Sequence, residues 1–500
     1  MADETCARTN AGFFASYFNV SATALKIGAL ALLLVSTSGF AIAADQRSNS
    51  NPCNISEEDA AGLNGDLSTD IRTIPDYVGT IARILKKEKF EELDCLADRA
   101  RSGKERFPGG MWKIHVLYEG LYLPVQYPIH ATQEDWSNLL QRLQRWVTAR
   151  PQSVTARVAL ACAYLGYAWD ARGTGYGNTV SESGGRLFGE RNADAKQILE
   201  EASALPTKCP EWYVAMLMVA QNQGWDMADA RSLFEKATKF EPGYYYYARA
   251  FAYYLLPKWS GEAGATEKFM QEVADRTGGD RGDILYFQVA THVICNCEGD
   301  PNLSWDRIEK GFEAAEKQYG VSMLNLNLIA FLAFYNKYHH DAFVADKALT
   351  RIGEQWDEQT WGRKEKFEWA KQWAAAGAPT AARERAKEAA AQVTVQTPEN
   401  ARYKVAFEKT FKELVQQCVS TEGGSAVQWE GKIETLTCVG AKGTVEDVSI
   451  NSTFAIAKCL NRKLRTFQFE KAMPIPPPPQ APYWVRLDLD WAEFAPVAPK

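Results

Sequence analysis

The chain has 500 residues, 46% of them hydrophobic and 24% charged, a globular composition with too many aromatic residues (12%) for a disordered protein. Its formal net charge of -6 is spread thinly and no basic block stands out, so neither nucleic acid nor an anionic membrane surface is an expected partner. Ten cysteines are many for a reducing compartment, and the nine that follow the apolar N-terminal run leave at least one thiol free if the rest pair.

Lys26 is followed by the apolar run Ile27–Val35, and Ala41-Ile42-Ala43 supplies an A-x-A cleavage pattern before Ala44. Residues 1–44 therefore read as a signal peptide, with an N-terminal anchor as the alternative. The expected location is periplasmic or secreted after cleavage, or the inner membrane if residues 27–44 are retained. No cysteine ends the apolar run, so a lipoprotein is not expected. Residues 45–75 are expected to form a polar linker.

Helical periodicity begins near Asp76 and sets a helical domain over residues 76–410. Its early segments are Asp76–Gly103, Trp112–Leu123, Trp136–Val147, Val154–Trp169 and Ala193–Leu205. Pro210–Pro242 then reads as two antiparallel helices turning at Gly224-Trp225-Asp226. Its second half places Ala230, Phe234, Ala237 and Pro242 at the spacing of a tetratricopeptide-type hairpin. The alanines are small where helices must approach, Phe234 fills the space between them, and Pro242 cannot continue a helix. One such hairpin cannot bury its own apolar face, so neighbours are implied. The alternation continues through Tyr244–Leu256, Thr266–Arg276, Asp283–Cys295, Ser304–Tyr319, Ser322–Asn336, Asp341–Ile352, Gly362–Ala376 and Pro379–Val393. Pro379 is expected in a first helical turn, where its missing N–H costs nothing.

The tail changes period. Gln428–Val439 and Thr444–Ile450 alternate apolar and polar residues, Phe454–Phe467 is helical, and Tyr483–Leu489 is a last strand after the proline run Pro474–Pro482. The order strand, strand, helix, strand predicts a small α+β domain over residues 411–491, with 492–500 as a tail.

Chemistry-bearing motifs are few. None of the five histidines forms an HExxH pair, and GxSxG and GxxxxGK[ST] are absent, so no catalytic residue, cofactor or metal is assigned. Gly173-Thr174-Gly175-Tyr176-Gly177 follows a helix rather than a strand, which argues against a phosphate cradle. Arg172–Asn192 reads as a long loop, either a docking loop using Arg172, Tyr176 and Glu182 or a packed connection. His292, Cys295 and Cys297 lack the two-residue cysteine gap of a zinc site, and Asp300 is the only further ligand type nearby. Asp283 of Arg281-Gly282-Asp283 is expected as an ordinary N-cap, and His339-His340 as a solvent-facing turn. Tyr244, Tyr245 and Tyr247, with Tyr246, Phe251, Tyr253 and Tyr254, either line a binding surface or pack between helices.

Two stretches resemble known families. LADRARSGKERFPGGMWKIHVLYEGL, WDARGTGYGNTVSESGGRLF, EWYVAMLMVAQNQGWD and GDILY resemble a bacterial domain family of unknown function built of tetratricopeptide-like helical pairs. That resemblance covers about Asp76–Val293 and implies a fold but no activity. FKELVQQCV, GAKGTVEDVSI and AKCLNRKLRTFQFEKAMPIPPPP, within Phe411–Leu489, resemble the C-terminal domain of TonB-type transducers, in the variant of gliding-motility proteins of the AgmX/PglI type. The resemblance implies a disulfide between Cys418 and Cys459, with Cys438 as a competing partner.

The combined expectation is a mainly α protein, a tetratricopeptide-like α-solenoid of hairpins followed by a small TonB-like ββαβ domain. Its expected role is that of an exported scaffold holding one or more proteins of the bacterial envelope. The alternative is a component of a TonB-like energy-transducing or motility complex, and the third reading is an enzyme of unstated reaction using residues 172–192.

Overall fold

Two kinds of helix alternate along most of the chain. The computed structural model describes residues 53–124, 131–173, 175, 177–259, 261–294, 302–335, 340–393, 398–422, 432–440, 443–450, 455–469 and 483–490. In order, the first helices are α1 (Glu57–Leu63), α2 (Thr73–Lys86), α3 (Phe90–Ser102), α4 (Lys113–Tyr122), α5 (Gln133–Ala149), α6 (Val154–Arg172) and α7 (Glu182–Ser203). They are followed by α8 (Pro210–Asn222), α9 (Met227–Phe240), α10 (Tyr246–Tyr254), α11 (Ala265–Thr277), α12 (Gly279–Val293), α13 (Trp305–Tyr319), α14 (Met323–Tyr335), α15 (Ala342–Ile352) and α16 (Glu358–Trp361). The last are α17 (Lys364–Val393), α18 (Pro398–Glu422) and α19 (Ala455–Thr466), with strands β1 (Lys432–Val439), β2 (Val445–Ile450) and β3 (Tyr483–Asp490). The protein is thus mainly helical, with a small three-stranded antiparallel sheet near its C-terminus.

The odd helices carry one apolar stripe. Helix α9 buries Ala230, Leu233, Phe234 and Ala237, and α5 buries Trp136, Leu139, Leu143 and Trp146, spacings that return to one face. Most even helices are buried almost all round: α8 has no exposed break from Val214 to Gln221, nor α12 from Tyr286 to Val293. The contacts follow from this. Helices α2, α4, α6, α8, α10, α12 and α14 touch one another in succession, and odd helices pack beside them, as α9 does on α8 and α13 on α12. Glycine sets the closest crossings. A Cβ on Gly282 would stand 2.2 Å from the Ala274 carbonyl oxygen, so α11 and α12 can approach only with hydrogen there.

Four expectations change. The linker expected to residue 75 is folded from Cys53 onward: Cys53 is bonded to Cys95, and Asp59 of α1 is sealed beneath Arg83 at 2.8 Å. A short helix with one charged anchor shows no apolar period to read. The loop expected over 172–192 is helical from Glu182, where Ser181 caps α7 by accepting from the Gly184 N–H at 3.0 Å. Gly184 and Gly185 disguise this start, but a Cβ on Gly184 would come within 2.6 Å of the Ala171 carbonyl oxygen, so glycine there admits the α6–α7 crossing. Asp283 lies inside α12, not at its cap, and accepts from Arg307 at 2.8 Å. Pro379 lies inside α17, where a helix start was expected, because the helix runs unbroken from Lys364 to Val393.

The chain divides into two compact units, Met1–His340 with Val344–Lys371, and Asp341–Phe343 with Gln372–Lys500. The second therefore starts well before residue 411. Its α18 stripe already begins at Tyr403 and Phe407, which join Phe411, Val415 and Cys418 in one core with Leu460 and Leu464 of α19 and with Ile433, Val485 and Leu489 of the sheet. Strand β1 lies between β2 and β3 and is antiparallel to both, with Thr435 opposite Ile450 on one side and Leu487 on the other. The Cys418–Cys459 disulfide ties α18 to α19.

Candidate functional site

Helix α4 is apolar except on one side. His115 and Glu119 stand four residues apart in KIHVLYEGLY, which puts both on one face. That face meets Glu211 in the first turn of α8, where the helix dipole favours a carboxylate and Pro210 opens the turn. His115 Nδ1 lies 3.0 Å from Glu211 Oε2, and its Nε2 lies 3.6 Å from Glu119 Oε1. The Tyr244 hydroxyl donates to the same Glu211 Oε2 at 2.6 Å. The His115 ring stacks on Tyr246 at 3.5 Å, and the Tyr245 hydroxyl donates to that of Tyr246 at 2.9 Å.

The network is closed to solvent: His115 and Glu211 are each 3% exposed, and Tyr244 and Tyr246 1%. Burial, reinforced by the charge of Glu211, holds the Glu119 carboxyl well above the usual carboxylate range. Burial likewise pushes the Tyr244 and Tyr246 phenols up. His292 on α12 is held well below the usual imidazole range by burial, with Arg249 adding its charge, so it is neutral near pH 7. The ring lies between two carboxyl groups and stacks on a phenol, so these side chains form one buried polar network.

Two arginines border it. Arg249 of α10 lies 4.7 Å over the Tyr245 ring and donates to the Gln288 carbonyl oxygen at 2.7 Å and to Thr291 Oγ1 at 3.0 Å. Arg106 lies 4.1 Å over the Trp112 ring and donates to the Tyr319 hydroxyl at 2.8 Å. Between Arg106 and Trp112 runs the turn Pro108–Gly110, in which Gly109 and Gly110 take φ of 81° and 91°.

The residues singled out from sequence fall differently. Arg172 donates to the carbonyl oxygens of Gly173 and Gly175 at 3.2 and 3.1 Å and lies over Trp169, so it closes its own turn. Burial pushes its guanidinium below the usual range. Glu182 is exposed in the first turn of α7, and Tyr176 lies outside the described residues. Tyr244, Tyr245 and Tyr247 are all buried and do not line an exposed surface. Tyr244 enters the network, whereas the Tyr247 hydroxyl is buried without a hydrogen-bond partner. His292 is described, but Cys295, Cys297, Asp300 and His339 are not, and His340 is exposed. The structure brings Cys418 and Cys459 together and leaves Cys438 a buried thiol.

Among the described residues no group of three or more His, Cys, Asp or Glu is placed to hold a metal ion, and no helix is long and apolar enough to cross a membrane. Residues 27–44 lie outside the described residues. No family model, curated protein or solved structure matches the chain. Sequence reasoning missed His115, Glu119 and Glu211. The signal was present as two ionisable residues four apart in an otherwise apolar helix, which must be either paired inside or costly.

Proposed function

We propose that the chain is an exported helical-repeat scaffold of the bacterial cell envelope, acting by holding another protein. The observation that carries this reading is the succession of even helices, each flanked by an amphipathic odd helix. Tetratricopeptide-like arrays are built in this way, each hairpin burying the apolar face of its neighbour and one helix of each pair forming a continuous inner layer. Two disulfides, Cys53–Cys95 and Cys418–Cys459, support an oxidising compartment and hence export. The order β1, β2, α19, β3 after α18, with its disulfide, supports likeness to a TonB C-terminal domain. That likeness also favours the second reading, a component of an energy-transducing or motility complex.

A place to test the scaffold is the aromatic surface of α14 and the first turns of α17. Tyr335 is 44% and Trp369 63% exposed, two large aromatic side chains open to solvent. Tyr335 stacks on Phe331 at 5.2 Å, and Lys366 Nζ lies 4.4 Å over the Phe331 ring. This surface suits a partner segment with an apolar side chain beside an acidic one. Cross-linked affinity capture from solubilised envelopes should recover a protein partner with the wild type. Trp369→Ser with Tyr335→Ser should lower recovery by ~10-fold or more. No captured protein, or equal recovery with both chains, would refute the scaffold. N-terminal sequencing of the mature protein should begin at Ala44 if residues 1–43 are removed.

A further inference from the structure

We infer that Arg106, Arg249 and Gln288 form a binding site for an oxyanion, the carboxylate or phosphate of a small molecule. Gln288 is 6% exposed, and its Nε2 has no hydrogen-bond partner. A buried amide donor left unused costs about 1–3 kcal/mol, so this Nε2 is a donor with hydrogen-bonding capacity to offer a ligand. Glycine lets the Pro108–Gly110 turn pack closely beside it: a Cβ on Gly110 would lie 3.2 Å from that Nε2 and 2.7 Å from Tyr319 Cδ2.

The same residue links the two guanidinium groups. Its backbone carbonyl accepts from Arg249, while Tyr319, the other neighbour of Gly110, accepts from Arg106. Both arginines are half-buried, and both are held by neutral groups: a carbonyl, hydroxyls and aromatic faces. Among the described residues neither has a carboxylate at ion-pair distance, whereas Arg83 and Arg307, also half-buried, each have one at 2.8 Å. Half-buried cations without a counter-charge, beside an unused amide donor and aromatic walls, match the chemistry of a planar or tetrahedral oxyanion. The nearby Glu119 carboxyl, which burial pushes well above the usual range and the charge of Arg249 pulls back, makes no ion pair with Arg249. The inference stands on this geometry and does not need the scaffold reading.

The test is titration calorimetry of the full chain, disulfides intact, with sodium malonate and with sodium phosphate at constant ionic strength. Saturable binding of at least one probe is expected, and the probe that binds names the oxyanion. Arg106→Gln and Arg249→Gln should each weaken it about 10- to 100-fold, the loss of a charged hydrogen-bond partner. Gln288→Met, which keeps shape and removes the donor, should weaken it less. Arg276→Gln, at a surface pair with Glu235, should leave it unchanged. If a glutamine variant fails to fold by circular dichroism, Arg106→Lys decides: it keeps the charge, loses the fork, and should still bind more weakly. No saturable binding of either probe, or equal binding by the folded arginine variants, overturns the site.

Discussion

Glu119 is the residue whose environment most contradicts its chemistry. It sits with His115 and Glu211 in a closed cluster, and burial raises its carboxyl pKa well above the ordinary value of 4.5. The sign of the pH effect follows. Below about pH 4.5 the carboxyl is protonated folded and unfolded, and its contribution to stability is fully present. As pH rises toward the folded value, the unfolded chain releases its proton first, and that contribution is lost. Glu119→Gln keeps the shape and does not titrate. Its stability relative to wild type should therefore improve as pH rises above about 5 toward the folded value, by at most ~1.4 kcal/mol per pH unit. Urea unfolding at several pH values measures this, and a gap that does not change with pH would show that Glu119 ionises in the folded state. The i, i+4 pair on α4 was legible in the sequence. Its partners were not, because Glu211 and Tyr244 lie 96 and 129 positions from His115 and reach it only through packing of even helices.

Among the elements, legibility followed the apolar period. The hairpin α8–α9 could be read because Ala230, Phe234 and Ala237 repeat on one face, and the order of β1, β2, α19 and β3 because alternation gives way to helix period and back. The first half of helix α7 was hidden because Gly184 serves a close crossing rather than a loop. The two halves of α17 were legible and their continuity was not, because Pro379 reads as a helix start. Pro379 is exposed on that helix and leaves the Ala375 carbonyl without its i+4 donor. Pro379→Ala should restore the bond and stabilise the second unit by about 1–3 kcal/mol, seen as a rise in its melting temperature by circular dichroism. An unchanged or lower melting temperature would mean that the proline's fixed φ serves the helix better than the lost bond harms it.

At the scale of the molecule, each compact unit holds one disulfide among the described residues. Cys53–Cys95 closes a separation of 42 residues in the first and Cys418–Cys459 one of 41 in the second. Two units with separate cores predict two calorimetric transitions rather than one. By chain entropy the two bonds are nearly equal, about 4 kcal/mol each as an upper figure. They should nevertheless differ in what they do to melting. The shift in melting temperature is the free-energy change divided by the unfolding entropy, and that entropy grows with the number of residues in the unit. Replacing Cys418 and Cys459 by serine should therefore lower the second unit's transition by more degrees than replacing Cys53 and Cys95 lowers the first. Each replacement should leave the other transition in place. A single transition that moves with either pair would mean that the two units unfold together, and that the alternating helices and the small sheet form one cooperative body.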